Sequence, residues 1–202
     1  MSEKLDAVYG AASAEEISRT YDDWAEAYEA DMRRFGYRHP AIGLALLARH
    51  APRGAAPVLD AGAGTGLVGE WLGLVGFPVA DALDLSEGML AVARRKGCYR
   101  ALHRAALGGP LPFADGAYAA AIATGVFTTG HVGAEGLDEL ARVVRPGGAI
   151  VLTVKETVWP AFVARIAALG LEVLDETPPY HSMPGSDDQA PSRALALRVR
   201  DD

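Results

Sequence analysis

Three glycines alternate directly after a short apolar run, in the segment VLDAGAGTG at residues 58–66. Glycine permits backbone angles and a close ligand approach that a Cβ forbids, so Gly62, Gly64 and Gly66 predict a loop that is shaped around a ligand. In open α/β sheets such a loop, at the carboxyl end of the first strand, is where nucleotides bind. The segment therefore predicts a nucleotide-type site, since a plain turn rarely needs three glycines.

Two carboxylates accompany this loop and bear on the charge of its ligand. Gly64, Gly66 and Gly69 with Asp84 match the dinucleotide fingerprint, which leaves a nicotinamide-dependent oxidoreductase as an alternative. In that fold the helix N-terminus receives an anionic pyrophosphate, and Asp60 would place a carboxylate beside it. A carboxylate suits a cation better, such as the α-ammonium of a methionine moiety near a sulfonium.

Apolar runs and helical patterns alternate from residue 57 onward. The predicted strands are 58–62, 79–86, 99–103, 118–123, 149–154, 171–174 and 194–199, and the predicted helices are 67–75, 86–96, 137–144 and 159–169. This alternation predicts a mostly parallel, Rossmann-like sheet with helices on both faces. The last two strands follow each other without a helix, which predicts an antiparallel C-terminal hairpin.

A helix over 13–30 precedes this pattern, with Ser13 and Glu16 forming a capping box. Its apolar stripe is aromatic, which indicates either ordinary packing or a cover over a ligand; the stripe is Ile17, Tyr21, Trp24 and Tyr28. A second helix is predicted over 40–50. We expect one domain over residues 1–202, with an N-terminal helical lid at 1–40 and the Rossmann-like core at 41–202.

Composition argues against several classes of partner. The formal net charge is −7 and the basic residues are dispersed, which is unfavourable for nucleic-acid binding. No apolar run approaches the roughly 18 residues of a membrane span, and no apolar stretch follows a basic start. We therefore expect a cytoplasmic protein without a membrane partner. The single Cys98 predicts neither an internal disulfide nor a metal site.

Several motifs resemble one enzyme family. DAGAGTG at 60–66 resembles the first motif of class I S-adenosylmethionine-dependent methyltransferases, and the order of elements is similar to their seven-stranded sheet. GPLPFADGAY at 109–118 and RVVRPGG at 142–148 resemble later motifs of that family, although Ala106 and Ala119 stand where acidic residues are usual. YDDWAEAYEADMRRFGYRHP at 21–40 resembles the methyltransferase-like proteins named after the Williams–Beuren syndrome chromosomal region.

The resemblance implies S-adenosyl-L-methionine as cofactor. It implies that Asp84 binds the ribose hydroxyls, that the backbone at Gly62 and Gly64 approaches the methionine part, and that Leu85 and Met89 flank the adenine. The predicted cofactor-binding set is Tyr21, Tyr28, Arg38, Asp60, Gly62, Gly64, Asp84, Leu85, Met89, Ala106, Leu107 and Thr124.

In such folds the acceptor lies over the carboxyl ends of strands four and five. A small-molecule acceptor is expected, methylated by in-line displacement, in which positioning and water exclusion supply much of the acceleration. If a general base is used, His131 is the candidate, because imidazole titrates near neutrality; the alternative is a loop histidine bonded to backbone or water. A cofactor-binding protein without turnover is the remaining alternative.

Overall fold

A seven-stranded sheet forms the centre of the fold in the computed structural model, which describes residues 13–128, 130, 132–188 and 190–201. The strands are β1 (Val58–Ala61), β2 (Ala80–Asp84), β3 (Ala101–Arg104), β4 (Tyr118–Phe127), β5 (Val144–Lys155), β6 (Glu172–Glu176) and β7 (Ser192–Arg198). The helices are α1 (Ala14–Phe35), α2 (His39–His50), α3 (Gly69–Val75), α4 (Glu87–Lys96), α5 (Gly136–Val143) and α6 (Trp159–Ala168).

The strand order is β3-β2-β1-β4-β5-β7-β6. The first five strands of this order pair in parallel, and β7 pairs antiparallel with both β5 and β6. The predicted Rossmann-like sheet, mostly parallel with an antiparallel C-terminal hairpin, is confirmed. Strand order reverses between β1 and β4, so the connections leaving their carboxyl ends diverge and open a crevice there.

Alternation along the central strands divides the core into two layers. In β5, Ile150 and Leu152 join the side chains of α5 and α6, whereas Ala149 and Val151 face the layer built by α2 and α3. The same period of two places Leu195 of β7 with the first layer. Apolar side chains thus cover both faces of the sheet. The crevice at the carboxyl ends of the strands is lined mainly by residues of the loops that follow them.

Two elements are longer than their sequence patterns predict. Helix α1 continues to Phe35, past the predicted end near residue 30, and stops where Gly36 adopts a left-handed conformation with φ 68°. Strand β4 continues to Phe127 instead of ending at Ala123. Gly125 within this extension donates its backbone N–H to Thr153 Oγ1 at 2.7 Å, which ties it to β5. Both extensions bring additional residues to the crevice.

Helix α1 carries a small apolar cluster of its own. Trp24, Met32 and Phe35 pack with Met183, which lies in the connection between β6 and β7. The Gly185 N–H donates to the Phe35 carbonyl at 3.0 Å, so this connection holds the end of α1. Within the part of the chain described, no helix combines the length and the apolar character that crossing a bilayer requires.

Candidate functional site

A cavity of about 470 Å³, here called the outer cavity, lies at the carboxyl ends of β1, β2 and β4. Its walls come from the glycine loop after β1, the turn after β2, the segment after β3, the end of β4 and helix α1. The lining residues include Ile17, Ser18, Tyr21, Tyr28, Gly62, Gly64, Asp84, Leu85, Met89, Ala106, Leu107, Thr124, Gly125 and Val126. This volume falls within the range of small-molecule and cofactor sites.

Two glycines of the loop, Gly62 and Gly64, have different surroundings. Both have positive φ, 77° at Gly62 and 54° at Gly64, which other residues adopt only with strain. A Cβ on Gly62 would stand 2.2 Å from the Val126 side chain, whereas a Cβ on Gly64 would meet nothing within 4 Å. Gly62 is therefore required for packing against β4, and Gly64 leaves its space open to the outer cavity.

Asp84 ends β2 and directs its carboxylate to the glycine loop. Its Oδ2 accepts the Gly64 N–H at 2.8 Å, and its Oδ1 accepts the Ser86 N–H at 2.9 Å. Burial raises the pKa of this carboxyl, and the nearby Asp22 acts in the same direction, while the backbone donors partly offset both. The result is a rigidly oriented carboxylate at the cavity wall, which gains from any further hydrogen-bond donor.

Asp60 lies behind the glycine loop. Its carboxyl accepts a hydrogen bond of 2.5 Å from Tyr99 Oη, and the same hydroxyl accepts the Gly69 N–H at 3.1 Å. The Asp60 side chain is 1% exposed, and burial raises its pKa to about 7. The Asp60–Tyr99 pair thus supports the loop and the start of α3 from within the protein.

A second cavity of about 40 Å³, here called the inner cavity, adjoins the outer one. Tyr21, Tyr28 and Gly125 line both cavities. The other residues that line the inner cavity are Trp24, Met32, Tyr37, His39, Phe127, Thr128, Lys155, Ser182, Met183 and Ser192. Its volume corresponds to roughly three water-sized spheres, which is enough for one functional group of a ligand.

The polar groups at the inner cavity are buried, and their charges balance. Lys155, at the end of β5, forms a buried ion pair with Asp188. His39 Nδ1 is 2.8 Å from Tyr180 Oη, and burial, together with the Lys155 charge, lowers the pKa of this imidazole to about 3. Among the described residues, the hydroxyl oxygens of Thr128 and Ser192 have no hydrogen-bond partner. The inner cavity is therefore lined by two residues whose buried hydroxyls lack a partner among the described residues, beside an ion pair whose charges cancel.

Ten residues of the predicted cofactor-binding set line the outer cavity, namely Tyr21, Tyr28, Gly62, Gly64, Asp84, Leu85, Met89, Ala106, Leu107 and Thr124. Asp60 and Arg38 do not line it. Arg38 precedes α2 and directs both its N–H (2.9 Å) and its guanidinium (3.4 Å) to carbonyls of Ser182 and His181. His131 lies outside the described residues. Among those described, no group of side chains has the composition of a metal site.

Several residues of the site were missed in the sequence. The sequence pattern puts Tyr99 at the start of the third predicted strand, whereas Tyr99 precedes β3 and donates its hydroxyl to Asp60. His39, beside Pro40, gave only a helix-start pattern, and its burial depends on the distant Tyr180. Ser192 and Asp188 lie in and before the last strand, where no local motif indicates a site. Contacts between residues far apart in the sequence bring these side chains to the site, so local residue spacing does not predict them.

Comparison with known proteins identifies the family. A protein-family model described as a methyltransferase domain matches residues 59–152. Methyltransferase-like protein 27 of Homo sapiens is 34% identical over 155 residues, which are 75% of this chain and 63% of that protein. Residues 59–152 therefore match a methyltransferase domain, and these similarities support a class I S-adenosylmethionine-dependent methyltransferase. A demethylmenaquinone methyltransferase of Clavibacter sepedonicus is 33% identical over 140 residues, covering 68% of this chain and 57% of the relative.

These relatives are longer than the part of them that aligns with this chain. The chain spans about three fifths of the length of these two curated relatives. The crystal structure of the [4+2]-cyclase SpnF superposes with a TM-score of 0.73 at 15% identity, covering 94% of this chain and 98% of that one. At such identity the likeness concerns the fold, and one fold supports different chemistries.

The contrast between glycines gives a matched test of the outer cavity. Gly64→Ala and Gly54→Ala both add a methyl group at positive φ with no atom within 4 Å of it, but only Gly64 lines the cavity. We expect both variants to lose about 1 kcal/mol of unfolding free energy. Only Gly64→Ala should weaken binding of S-adenosylhomocysteine in calorimetry. Equal affinities of the two variants would exclude Gly64 from the ligand site.

The buried carboxyl of Asp60 makes stability depend on pH. Because its folded pKa of about 7 exceeds the unfolded value of 3.8, the folded state retains a proton that the unfolded state loses, and stability falls as pH rises between these values. Asp60→Asn keeps an acceptor for Tyr99 and does not titrate. Between pH 5 and pH 8 the unfolding free energy of the variant, relative to wild type, should rise by roughly 2 kcal/mol.

Urea denaturation of both proteins at the two pH values measures this difference. Groups remote from Asp60 titrate equally in both proteins, so their contributions cancel in the comparison. Parallel pH dependences of the two proteins would show that Asp60 is ionised throughout this range.

Proposed function

We propose that this protein transfers a methyl group from S-adenosylmethionine, bound in the outer cavity, to a small acceptor whose uncharged, oxygen-bearing group enters the inner cavity. The observation that carries the proposal is the junction of the two cavities at Tyr21, Tyr28 and Gly125. A cofactor in one cavity and an acceptor group in the other would face each other across these residues. This proximity is what a direct transfer requires.

The residues of the outer cavity fit the cofactor of the family. The cavity has the required size, and the Asp84 carboxylate at its wall is oriented by two backbone donors. Ribose hydroxyls are the donors that such a carboxylate lacks. The open space beside Gly64 allows the backbone to approach a ligand closely. The match to a methyltransferase domain and the similarity to methyltransferases support this cofactor over the nicotinamide alternative.

Each wall of the outer cavity has a proposed part of the ligand to hold. Asp84 accepts from the ribose hydroxyls, and Gly62 and Gly64 adjoin the methionine part. The adenine lies between apolar side chains after β2 and the backbone after β3, at Leu85, Met89, Ala106 and Leu107. Thr124 lies at the end of β4 beside the junction. When bound, S-adenosylmethionine supplies a methyl group activated by its sulfonium.

The side chains around the junction position the reactants and exclude water. Trp24 is 1% exposed, and its rings stack with Tyr21 at 6.2 Å and meet Tyr28 edge-on at 5.0 Å between centroids. These aromatic rings on α1 cover both cavities. A closed apolar junction strengthens electrostatic interactions and holds the reacting groups in line. We propose on this basis that residues 1–40 act as the lid of a single domain over residues 1–202.

The charges around the inner cavity favour an uncharged acceptor group. The Lys155 ammonium is matched by Asp188, and both side chains are 9% exposed. The low pKa keeps His39 neutral near pH 7. A charged acceptor group would add an unpaired charge to buried surroundings, which costs several kcal/mol. A neutral group enters without this penalty.

The hydroxyls of the inner cavity favour an oxygen-bearing group. Ser192 is 1% exposed, and its Oγ has no partner among the described residues; the Thr128 Oγ1 is in the same state. An unsatisfied buried hydroxyl costs about 1–3 kcal/mol, which a ligand oxygen recovers. A hydroxyl group can accept from one of them and donate to the other. His131 remains the proposed base for the departing proton, and its neighbours Gly130 and Val132 line the outer cavity.

The role of Asp84 has a direct test. Asp84→Ala should weaken binding of S-adenosylhomocysteine by about 1.5–3 kcal/mol, as the loss of charge-assisted hydrogen bonds does. Isothermal titration calorimetry measures this change. Asp115→Ala serves as control, because this exposed carboxylate pairs with Arg142 and does not line the cavity.

Unchanged affinity of Asp84→Ala would remove this carboxylate from the ribose site. Asp84→Asn separates charge from shape, since it retains one oxygen acceptor while losing the negative charge. We expect its affinity to lie between those of wild type and Asp84→Ala. Formation of S-adenosylhomocysteine from S-adenosylmethionine in the presence of an acceptor would distinguish turnover from binding alone.

The acceptor group can be probed by its charge. Benzyl alcohol, benzoate and benzylamine have similar size and carry a neutral, an anionic and a cationic group at neutral pH. With S-adenosylhomocysteine saturating, benzyl alcohol should raise the melting temperature more than the other two. Ser192→Ala should reduce this increment and leave S-adenosylhomocysteine affinity unchanged. A larger increment with either ion, or an increment independent of Ser192, would contradict the proposed acceptor class.

A further inference from the structure

Helix α1 is bonded to the turn that joins β2 to α4. Ser86 Oγ donates to Asp22 Oδ1 at 2.5 Å, and the Gly88 N–H donates to the same oxygen at 2.8 Å. Ser18 Oγ also donates to the Leu85 carbonyl at 3.3 Å. Asp22 therefore accepts from the first turn of α4 and supplements the cap that Ser86 provides to the Met89 N–H.

The same turn orients the carboxylate of the outer cavity. Ser86 donates its backbone N–H to Asp84 Oδ1 at 2.9 Å, while its side chain donates to Asp22. Asp84 Oδ2 in turn accepts the Gly64 N–H. An unbroken series of hydrogen bonds thus connects Asp22 on α1 with Ser86, Asp84 and the glycine loop.

The contact between α1 and α4 is close as well as polar. A Cβ on Gly88 would stand 2.8 Å from the Asp22 Cα and 3.1 Å from its carbonyl oxygen. The backbone of α1 therefore lies directly against the first turn of α4. Because the two helices are in direct contact, a displacement of α1 away from α4 breaks both hydrogen bonds of Asp22 together.

We propose that Asp22 is a positioning residue that couples the docking of α1 to occupancy of the cofactor site. Asp22 does not line the outer cavity; its hydrogen bonds reach Asp84 through Ser86, and its charge also acts on the Asp84 carboxyl. The inference rests on the proposed ribose role of Asp84. When α1 is docked, Ser86 is held from both sides and the carboxylate is fixed for its ligand. Coupling is reciprocal, so a bound ligand that fixes Asp84 also favours docked α1.

Two variants of Asp22 separate the hydrogen bonds from the charge. Asp22→Ala removes the acceptor and should weaken binding of S-adenosylhomocysteine roughly fivefold or more. Asp22→Asn keeps an oxygen that accepts from Ser86 and Gly88, and should bind nearly as wild type does. Glu26→Ala is the control, because it removes only the exposed Glu26–Arg95 ion pair between the same two helices.

Hydrogen exchange with and without S-adenosylhomocysteine reports on the coupling itself. In wild type, Asp22→Asn and Glu26→Ala, the ligand should raise protection of α1. In Asp22→Ala this ligand-dependent rise should be lost from α1 and retained in β1 and β2. If Asp22 had only a structural role, Asp22→Ala would change the protection of α1 equally with and without S-adenosylhomocysteine.

A second variant guards against local unfolding caused by Asp22→Ala. Gly88→Ala displaces α1 through the 2.8 Å contact without changing Asp22, and should weaken binding to a similar extent. The double variant should then lose less than the sum of the single losses. Wild-type affinity and wild-type protection in Asp22→Ala would overturn the inference even where Asp84→Ala fails to bind. If Asp84→Ala binds normally, the proposed ribose site and the coupling fail together.

Discussion

The fixed carboxylate of Asp84 is the constraint on which the rest of the site depends. It ends β2 at the point where the sheet opens, and two backbone donors, from the Gly64 loop and from the turn at Ser86, determine its direction. The glycine loop must therefore approach β2 closely, which restricts the residues of the loop. The turn must also hold the start of α4, and α1 is bonded to that turn through Asp22. The Asp84 side chain thus connects the sheet with the glycine loop and, through Ser86, with helix α1.

The strand order explains why the two cavities adjoin. Because β1 and β4 are neighbours at the point where the order reverses, the crevice opens between the loop after β1 and the end of β4. The extension of β4 to Phe127 carries Gly125 to the junction of the cavities. Behind it, β5 ends with Lys155, the connection before β7 carries Asp188, and β7 begins with Ser192. The fold thus separates a cofactor-sized cavity from a smaller polar one.

Much of this arrangement is legible in the sequence because it depends on local pattern. Alternating glycines and periodic apolar residues predict the sheet, the loop and the position of Asp84. The inner cavity is not predictable in this way, because Lys155 and Asp188 of its ion pair are 33 positions apart, and its two hydroxyls come from the distant Thr128 and Ser192. Asp60 shows the same within a motif: its position at a strand end predicts a ligand contact, but the sequence gives no sign of its hydrogen bond with Tyr99, which is 39 residues away. Arg38 likewise has its partners in the distant β6–β7 connection.

The inner cavity has polar walls whose charges balance, and the fold alone does not specify these walls. The superposition with a cyclase shows that the same sheet supports chemistry other than methyl transfer, so the site must carry the functional argument. Here the relevant feature of the site is the line from Asp84 in the outer cavity, through the junction of the two cavities, to Ser192 at the inner cavity.

A crystal structure of the complex with S-adenosylhomocysteine tests this direction most directly. The account predicts ribose hydroxyls within hydrogen-bond distance of Asp84 and the sulfur directed between Tyr21 and Tyr28 toward the inner cavity. A ligand whose ribose contacts other side chains, or whose sulfur faces away from the junction with the inner cavity, would contradict it.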